Sequence, residues 1–331
     1  MNNKDKTKES KGSFRGITTD FANALKENPV FQEFYIKHTD KVIVGIRDNY
    51  INLYYNCDSI AMIEDGEGTL KAMIDPYYLG LKTGKKGMVE IKPQEYDLSS
   101  LFKQITERSD ARKKKEKQSQ EKLYIDNNNN PLSDWFCIDV EYTRSLAGKD
   151  TAEPWRFDII AVSKTLPHRV ALVELKYGFG ALGGKSGIAK HVSDFYDFHK
   201  NNSYLILLPE LVSIINGLTE LGVGVPACII SSNTESNYQK SPEYYFITLN
   251  NNPDPKKSPD NTPQMTISGY LFKDKKWGCR RVSSKVDTTG FNAVVKGDTS
   301  FKPTFFFAKA VLPNLGIDNV IDSPLYEIGE Y

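Results

Sequence analysis

Four ionisable side chains stand where the surrounding sequence is otherwise apolar. Glu141, Asp158 and Glu174 each interrupt a dense hydrophobic stretch, and Lys176 follows Glu174 by two positions. A carboxylate buried without a partner is strongly unfavourable, so such groups are exposed, paired or bound to a cation. Side chains alternate along a strand, so Glu174 and Lys176 share one face and Leu175 takes the other. Asp139 is a fourth acid, on the face expected for Glu141.

The spacing of these residues suggests how they meet. The connection Lys164 to His168 centres on Leu166. Antiparallel pairing about that centre sets Asp158 opposite Glu174, Ile160 opposite Leu172 and Val162 opposite Val170, and the matched apolar pairs support the register. Centring the next connection, Ala147 to Pro154, sets Glu141 opposite Ile160 and diagonal to Asp158. Three carboxylates on neighbouring strands would repel one another. A hard divalent cation removes the conflict, and Mg²⁺ suits such a site because it accepts one or two carboxylates and keeps several waters.

The runs Arg156-Phe-Asp-Ile-Ile-Ala-Val162 and Val170-Ala-Leu-Val-Glu-Leu-Lys176, followed by a helix, resemble the PD-(D/E)XK superfamily of restriction-endonuclease-like nucleases over about residues 134–232. The chain holds three Glu-x-Lys tripeptides, Glu9 to Lys11, Glu90 to Lys92 and Glu174 to Lys176. Only the last ends an apolar strand, follows a strand bearing an Asp, and precedes a glycine-rich turn and an amphipathic helix. The resemblance implies that Asp158 and Glu174 bind the metal, with the Leu175 carbonyl as a further ligand. Lys176 would orient or activate the attacking water and support charge on the phosphate. Glu141 is the best match to the additional upstream acid, and Asp139 could replace it.

Two departures stand out: Phe157 occupies the place of the eponymous proline, and Glu141 reads as a strand residue where a helix often supplies that acid. On the following helix, Lys190 or His191 would assist near the phosphate, while His199 falls on the apolar stripe and is expected to pack. Arg156, on the expected face of Asp158, could contact phosphate as a fork-shaped donor. The implied activity is Mg²⁺-dependent hydrolysis of phosphodiesters, with Mn²⁺ able to substitute. DNA is the preferred substrate, and defence against foreign DNA is the suggested setting. The alternative is an inactive nuclease-fold module that binds nucleic acid or a protein.

The elements that must position these groups are α/β in texture. The expected fold is a restriction-endonuclease-like core, a mixed sheet flanked by helices, preceded by a β-rich N-terminal domain. Residues 1–13 read as a disordered tail and 14–98 as the β-rich domain, with short strands at 41–47, 50–55, 59–63 and 69–74 arranged as a meander. Residues 99–130 read as a helical, charged linker whose basic run Arg112 to Lys117 could touch phosphate. The Asn127–Asn130 run marks the boundary before the nuclease-like domain, 131–331. There, strands are expected at 135–143, 156–163 and 169–177. A glycine-rich loop (178–184), helices at 185–200 and 210–221, and strands at 226–231, 244–249 and 305–309 follow, with a polar loop at 250–263. No chemistry attaches to the first four strands, so the N-terminal domain is assigned recognition of substrate, a protein partner or a second protomer.

Composition excludes several other classes. The 331 residues are 39% hydrophobic and 26% charged, with 43 basic against 42 acidic residues, which rules out a wholly disordered chain and a histone-like basic coat. Cys57, Cys137, Cys228 and Cys279 lie far apart without zinc spacing and read as reduced thiols. The polar N-terminus has no apolar h-region. The most apolar stretch, Tyr204 to Leu218, contains Pro209-Glu210 and is too short to span a bilayer. A cytoplasmic protein is expected. No Walker A motif, dinucleotide fingerprint or nucleophile elbow is present.

Overall fold

Two helices open the described chain. α1 (Thr19–Glu27) is capped by the Thr18 side chain and α2 (Pro29–Phe34) by that of Asn28. The computed structural model describes residues 14–66, 68–81, 87–144, 155–177, 188–249, 281–282, 285–286, 298, 300–308, 316–317 and 326–330. The expected tail and the 178–184 and 250–263 loops lie outside the described residues, as does Cys279.

The expected meander is present and gains a fifth strand: β1 (Ile43–Ile46), β2 (Tyr50–Tyr55), β3 (Asp58–Asp65), β4 (Leu70–Ile74) and β5 (Val89–Ile91), antiparallel and in sequence order. Asn56 and Cys57, with φ of 52° and 50°, make the two-residue turn between β2 and β3. Both residues at positive φ match the twist of the flanking strands.

The stretch read as one linker forms two packed helices, α3 (Leu98–Ala111) and α4 (Lys115–Asn129). Asp97 caps α3, and the chain breaks at Arg112–Lys114, where Lys113 takes φ 51°. Asn127–Asn129 of the Asn run lie in α4, and Asn130 is its C-cap. Asn128 donates to the carbonyl of Cys137 at 2.9 Å and accepts its N–H at 2.7 Å, while Asn127 donates to the Trp135 carbonyl at 3.0 Å. These amides fasten α4 to the first strand of the second sheet. That sheet contains β6 (Trp135–Arg144), β7 (Trp155–Ser163), β8 (Val170–Tyr177) and β9 (Glu243–Leu249). After a two-residue ladder of β10 (Arg281–Val282) and β11 (Lys285–Val286), it is completed by β12 (Pro303–Ala308) and β13 (Tyr326–Glu330). The order is β6-β7-β8-β9-β12-β13, antiparallel except for the β8–β9 and β9–β12 pairs. Between β8 and β9 run α5 (Ile188–Lys200), α6 (Tyr204–Glu220) and α7 (Ala227–Ile230).

Helices cover both faces of this mixed sheet. Leu123 and Tyr124 of α4 pack with Trp135, Cys137, Ile159, Val173 and Leu175 in one core. Val192, Phe195 and Phe198 of α5 and the apolar side of α6 pack with Phe157, Ile160, Leu172 and Phe246 in the other. Each such buried side chain contributes about 1.5–3 kcal/mol. The fold is therefore mixed α/β. No helix among the described residues is long and apolar enough to cross a membrane.

Two elements differ from expectation. Residues 226–231 form the single turn α7 rather than a strand, because a short apolar run carries no periodicity and only Ile229 of α7 is buried. α6 begins at Tyr204, not Glu210, and runs through Pro209. Burial of Leu207, Leu208 and Leu211 offsets the lost N–H.

Candidate active site

The β7–β8 ladder pairs Ile160 with Leu172 and Val162 with Val170, as the apolar matching predicts, and ends at Ile159–Val173. One step further, where Asp158 would face Glu174, the strands part. The freed N–H of Leu175 donates to Asp158 Oδ2 at 2.7 Å. The carboxylates thus sit at the mouth of the splay instead of stacked across a ladder.

β6 reaches the same place by an irregular route. A bulge between Cys137 and Asp139 shifts the register, so that Asp139 pairs with Ile160, Val140 with Ile159 and Tyr142 with Phe157. Glu141 therefore lies across from Asp158, not from Ile160 as expected, because β6 ends at Arg144 and β7 begins at Trp155, moving the centre of the connection. Glu141 itself takes φ 50°. Bulges and kinks of this kind re-aim side chains beside functional sites.

The other described face of the site comes from α4, which the sequence reading passed over as linker. Glu116 Oε1 lies 3.4 Å from Lys176 Nζ, and Glu116 Oε2 accepts the Tyr177 N–H at 3.4 Å. One turn later, Gln120 donates to the backbone carbonyl of Asp158 at 2.7 Å. The only sequence signal was the four-residue spacing of Glu116 and Gln120, which places both on one helix face; the surrounding charges obscured it.

At the centre, Glu174 Oε1 takes Lys176 Nζ at 2.6 Å and His191 Nε2 at 3.1 Å. Burial is the main cause pushing both acids up. Asp158 rises to about 7, with Glu141 adding to the rise and Lys176 opposing it. Glu174 is raised well above the ordinary glutamate range by burial and then by Asp158. Burial alone would lower Lys176, but Glu174, Asp158 and Glu116 outweigh it and hold the ammonium above its usual value. Lys176 is thus a fixed positive charge among acids that outnumber it.

The remaining candidates separate. His191 reaches the centre. Lys190 turns instead to Asp194, one turn along its own helix. Glu141 Oε1 is held by Lys117 Nζ at 3.2 Å. Asp139 does not substitute for it: this carboxylate is wholly buried and takes Arg15 and Arg47, each at 2.8 Å, together with the Val140 N–H. Arg156 is exposed, and His199 packs against Tyr244 and Phe301. Much of the basic run is engaged internally, with Arg112, Lys114 and Lys117 gathered on the buried Asp58.

Among the described residues, no three His, Cys, Asp or Glu side chains converge closely enough to hold a metal ion. The donor chemistry nevertheless suits a hard cation. Asp158 and Glu174 are two oxygen donors whose own repulsion and burial favour neutralisation, and Mg²⁺ needs only one or two carboxylates. Comparisons with protein-family models, curated proteins and solved structures find no match to this chain.

Proposed function

We propose that this protein is a metal-dependent nuclease with a restriction-endonuclease-like core, hydrolysing phosphodiester bonds, preferably those of DNA. The observation that carries the reading is the pair of upward-shifted carboxyls, half-buried Asp158 and buried Glu174, set beside a charged Lys176 at the point where β7 and β8 part. Acids perturbed by desolvation and by a specific charge partner are functional-site candidates.

Asp158 and Glu174 would hold Mg²⁺, with the Leu175 carbonyl as the further donor. Bound there, the cation supplies a water of lowered pKa and neutralises charge on the phosphate. The chain's own groups do the rest. Lys176 keeps its proton and presents positive charge to the phosphate oxygens as negative charge builds during attack at phosphorus. Its raised pKa fits this electrostatic role better than proton abstraction. Glu174 is oriented by Lys176 on one side and His191 on the other, and the Leu175 N–H fixes one oxygen of Asp158. Glu116 steadies Lys176 from α4. Defence against foreign DNA remains the proposed setting.

Incubating plasmid with the protein and Mg²⁺ or Mn²⁺, with and without EDTA, tests the reading. Cleavage is expected with metal only, and Asp158→Ala or Lys176→Ala should lower it by about 10³-fold while circular dichroism shows an intact fold. Full cleavage by either folded variant would refute the assignment. A second reading, a nuclease-fold module that binds nucleic acid or a protein without cutting, is favoured by the lack of a three-donor cluster among the described residues. Metal-independent DNA retention by a protein that never cuts would support it.

A further inference from the structure

The contact between the N-terminal sheet and α4 converges on one side chain. Lys117 Nζ donates to the Cys57 carbonyl at 2.8 Å, lies 3.2 Å from Glu141 Oε1 and 3.8 Å from Asp58 Oδ1. One turn further on, Glu121 Oε2 accepts the Cys57 N–H at 2.9 Å. Positions 117 and 121 of α4 thus grip both backbone groups of the residue at the β2–β3 turn. On the same helix, residues 116 and 120 reach Lys176 and the Asp158 carbonyl.

The first turn of α4 is fixed by side-chain contacts from outside it: Lys114 reaches Asp58 at 3.1 Å, Glu116 reaches Lys176 and the Tyr177 N–H, and Lys117 joins it to the β2–β3 turn and Glu141. Its N-cap residue, Lys114, makes no side-chain capping bond, and the preceding Lys113 bends the chain with φ 51°. A helix start without a cap is set by whatever holds it from outside. Lys117 also steadies Glu141, a non-glycine residue kept at φ 50° directly across from Asp158; such backbone persists where its surroundings hold it.

We infer that Lys117 is a positioning residue through which the N-terminal sheet sets the catalytic geometry: the β2–β3 turn holds Lys117, and Lys117 holds the α4 turn bearing Glu116 and the β6 kink facing Asp158. The N-terminal sheet is then part of the catalytic apparatus as well as a recognition surface. This inference rests on the nuclease reading for its catalytic consequence, but its structural half stands apart from that reading.

The test compares Lys117→Met, which keeps length and loses charge, with Lys117→Arg, which keeps both. At saturating Mg²⁺, K117M is expected to lower kcat about tenfold with KM for DNA within about twofold, since small misplacements of positioned groups act on turnover. K117R should recover most of the loss. Hydrogen exchange read in parallel should quicken over residues 115–121 in K117M and remain unchanged over α6. Unaltered kcat, or a loss confined to KM, would overturn the inference, the latter because it would make Lys117 a phosphate grip. Should K117M fail to fold, Lys117→Gln, which also removes the charge facing Glu141, is read in its place. If the wild type does not cleave at all, the nuclease reading falls while the exchange measurement still decides the coupling: quickened exchange supports it, and unchanged exchange overturns it.

Discussion

Two acids of the same sheet, wholly buried Asp139 and half-buried Asp158, are treated in opposite ways. Asp139 meets two guanidinium groups and a backbone N–H, and Arg15 and Arg47 are in turn spread over the Ile46, Thr143 and Val140 carbonyls and the Tyr54 hydroxyl. Positive charge exceeds negative there, and the fit joins the N-terminal segment and β1 to β6. Asp158 shares one ammonium with Glu174 and Glu116, and burial pushes its carboxyl up to about 7. A saturated buried charge is a structural joint. An under-neutralised one is where the proposed cation would be accommodated.

The largest effect should come from breaking the saturated joint. Asp139→Asn leaves two buried guanidinium groups without their counter-ion, and Arg47→Met takes one of two positive partners from the acid and the guanidinium donor from the Val140 carbonyl and Tyr54 hydroxyl. Each should cost about 3–5 kcal/mol in urea unfolding, since removing one member of a buried pair exposes the desolvation cost of the other. A change below about 1 kcal/mol would erase the contrast between the two acids.

The under-neutralised site should respond to metal instead. At pH 8, Mg²⁺ at a hundredfold its dissociation constant should stabilise the protein by about 2.7 kcal/mol in thermal melts, and by less at pH 5.5, where the raised carboxyls are protonated. Equal stabilisation of wild type and Asp158→Asn would place any bound metal elsewhere.

Without metal, the same substitution should have the opposite sign from Asp139→Asn. The folded carboxyl of Asp158 sits near 7, above its ordinary 3.8, so its favourable share of stability is complete below about 3.8 and is lost as pH rises through about 7. Asn mimics the neutral form and can still accept the Leu175 N–H. Asp158→Asn should therefore stabilise the metal-free protein by about 2 kcal/mol at pH 8, with the gain fading towards pH 4. Destabilisation at pH 8 would show that Asp158 is a satisfied structural acid after all.

These contrasts also show what the sequence could reveal. The β7–β8 register was legible because the short connection centred on Leu166 sets it and the pairs Ile160–Leu172 and Val162–Val170 agree with it, and that register carried Asp158, Glu174 and Lys176 to one place. The choice between Asp139 and Glu141 was not legible. It depends on a bulge after Cys137 and on arginines 124 and 92 residues away in the chain. Glu116 was hidden for a different reason. α4 buries Gln120, Glu121 and Asn127 through specific hydrogen bonds beside Leu123 and Tyr124, so its inward face is largely polar and its apolar stripe is short. For the same reason the asparagines at its end looked like a linker.

The smallest expected effect comes from a third kind of buried polar group, one without charge. Among the described residues, the Tyr204 hydroxyl is the single buried side-chain polar atom without a hydrogen-bond partner. It lies at the start of α6 with its ring in the large core, and burial pushes its pKa upward. A neutral orphan costs the fold its desolvation without inviting a cation. Tyr204→Phe removes that cost and keeps the ring, so it should leave stability unchanged or raise it by up to about 1 kcal/mol, with no dependence on Mg²⁺ or on pH between 5 and 8. A loss of more than about 1 kcal/mol in urea unfolding would mean that the hydroxyl has a bound water or another partner, and the orphan would join Asp139 among the saturated groups.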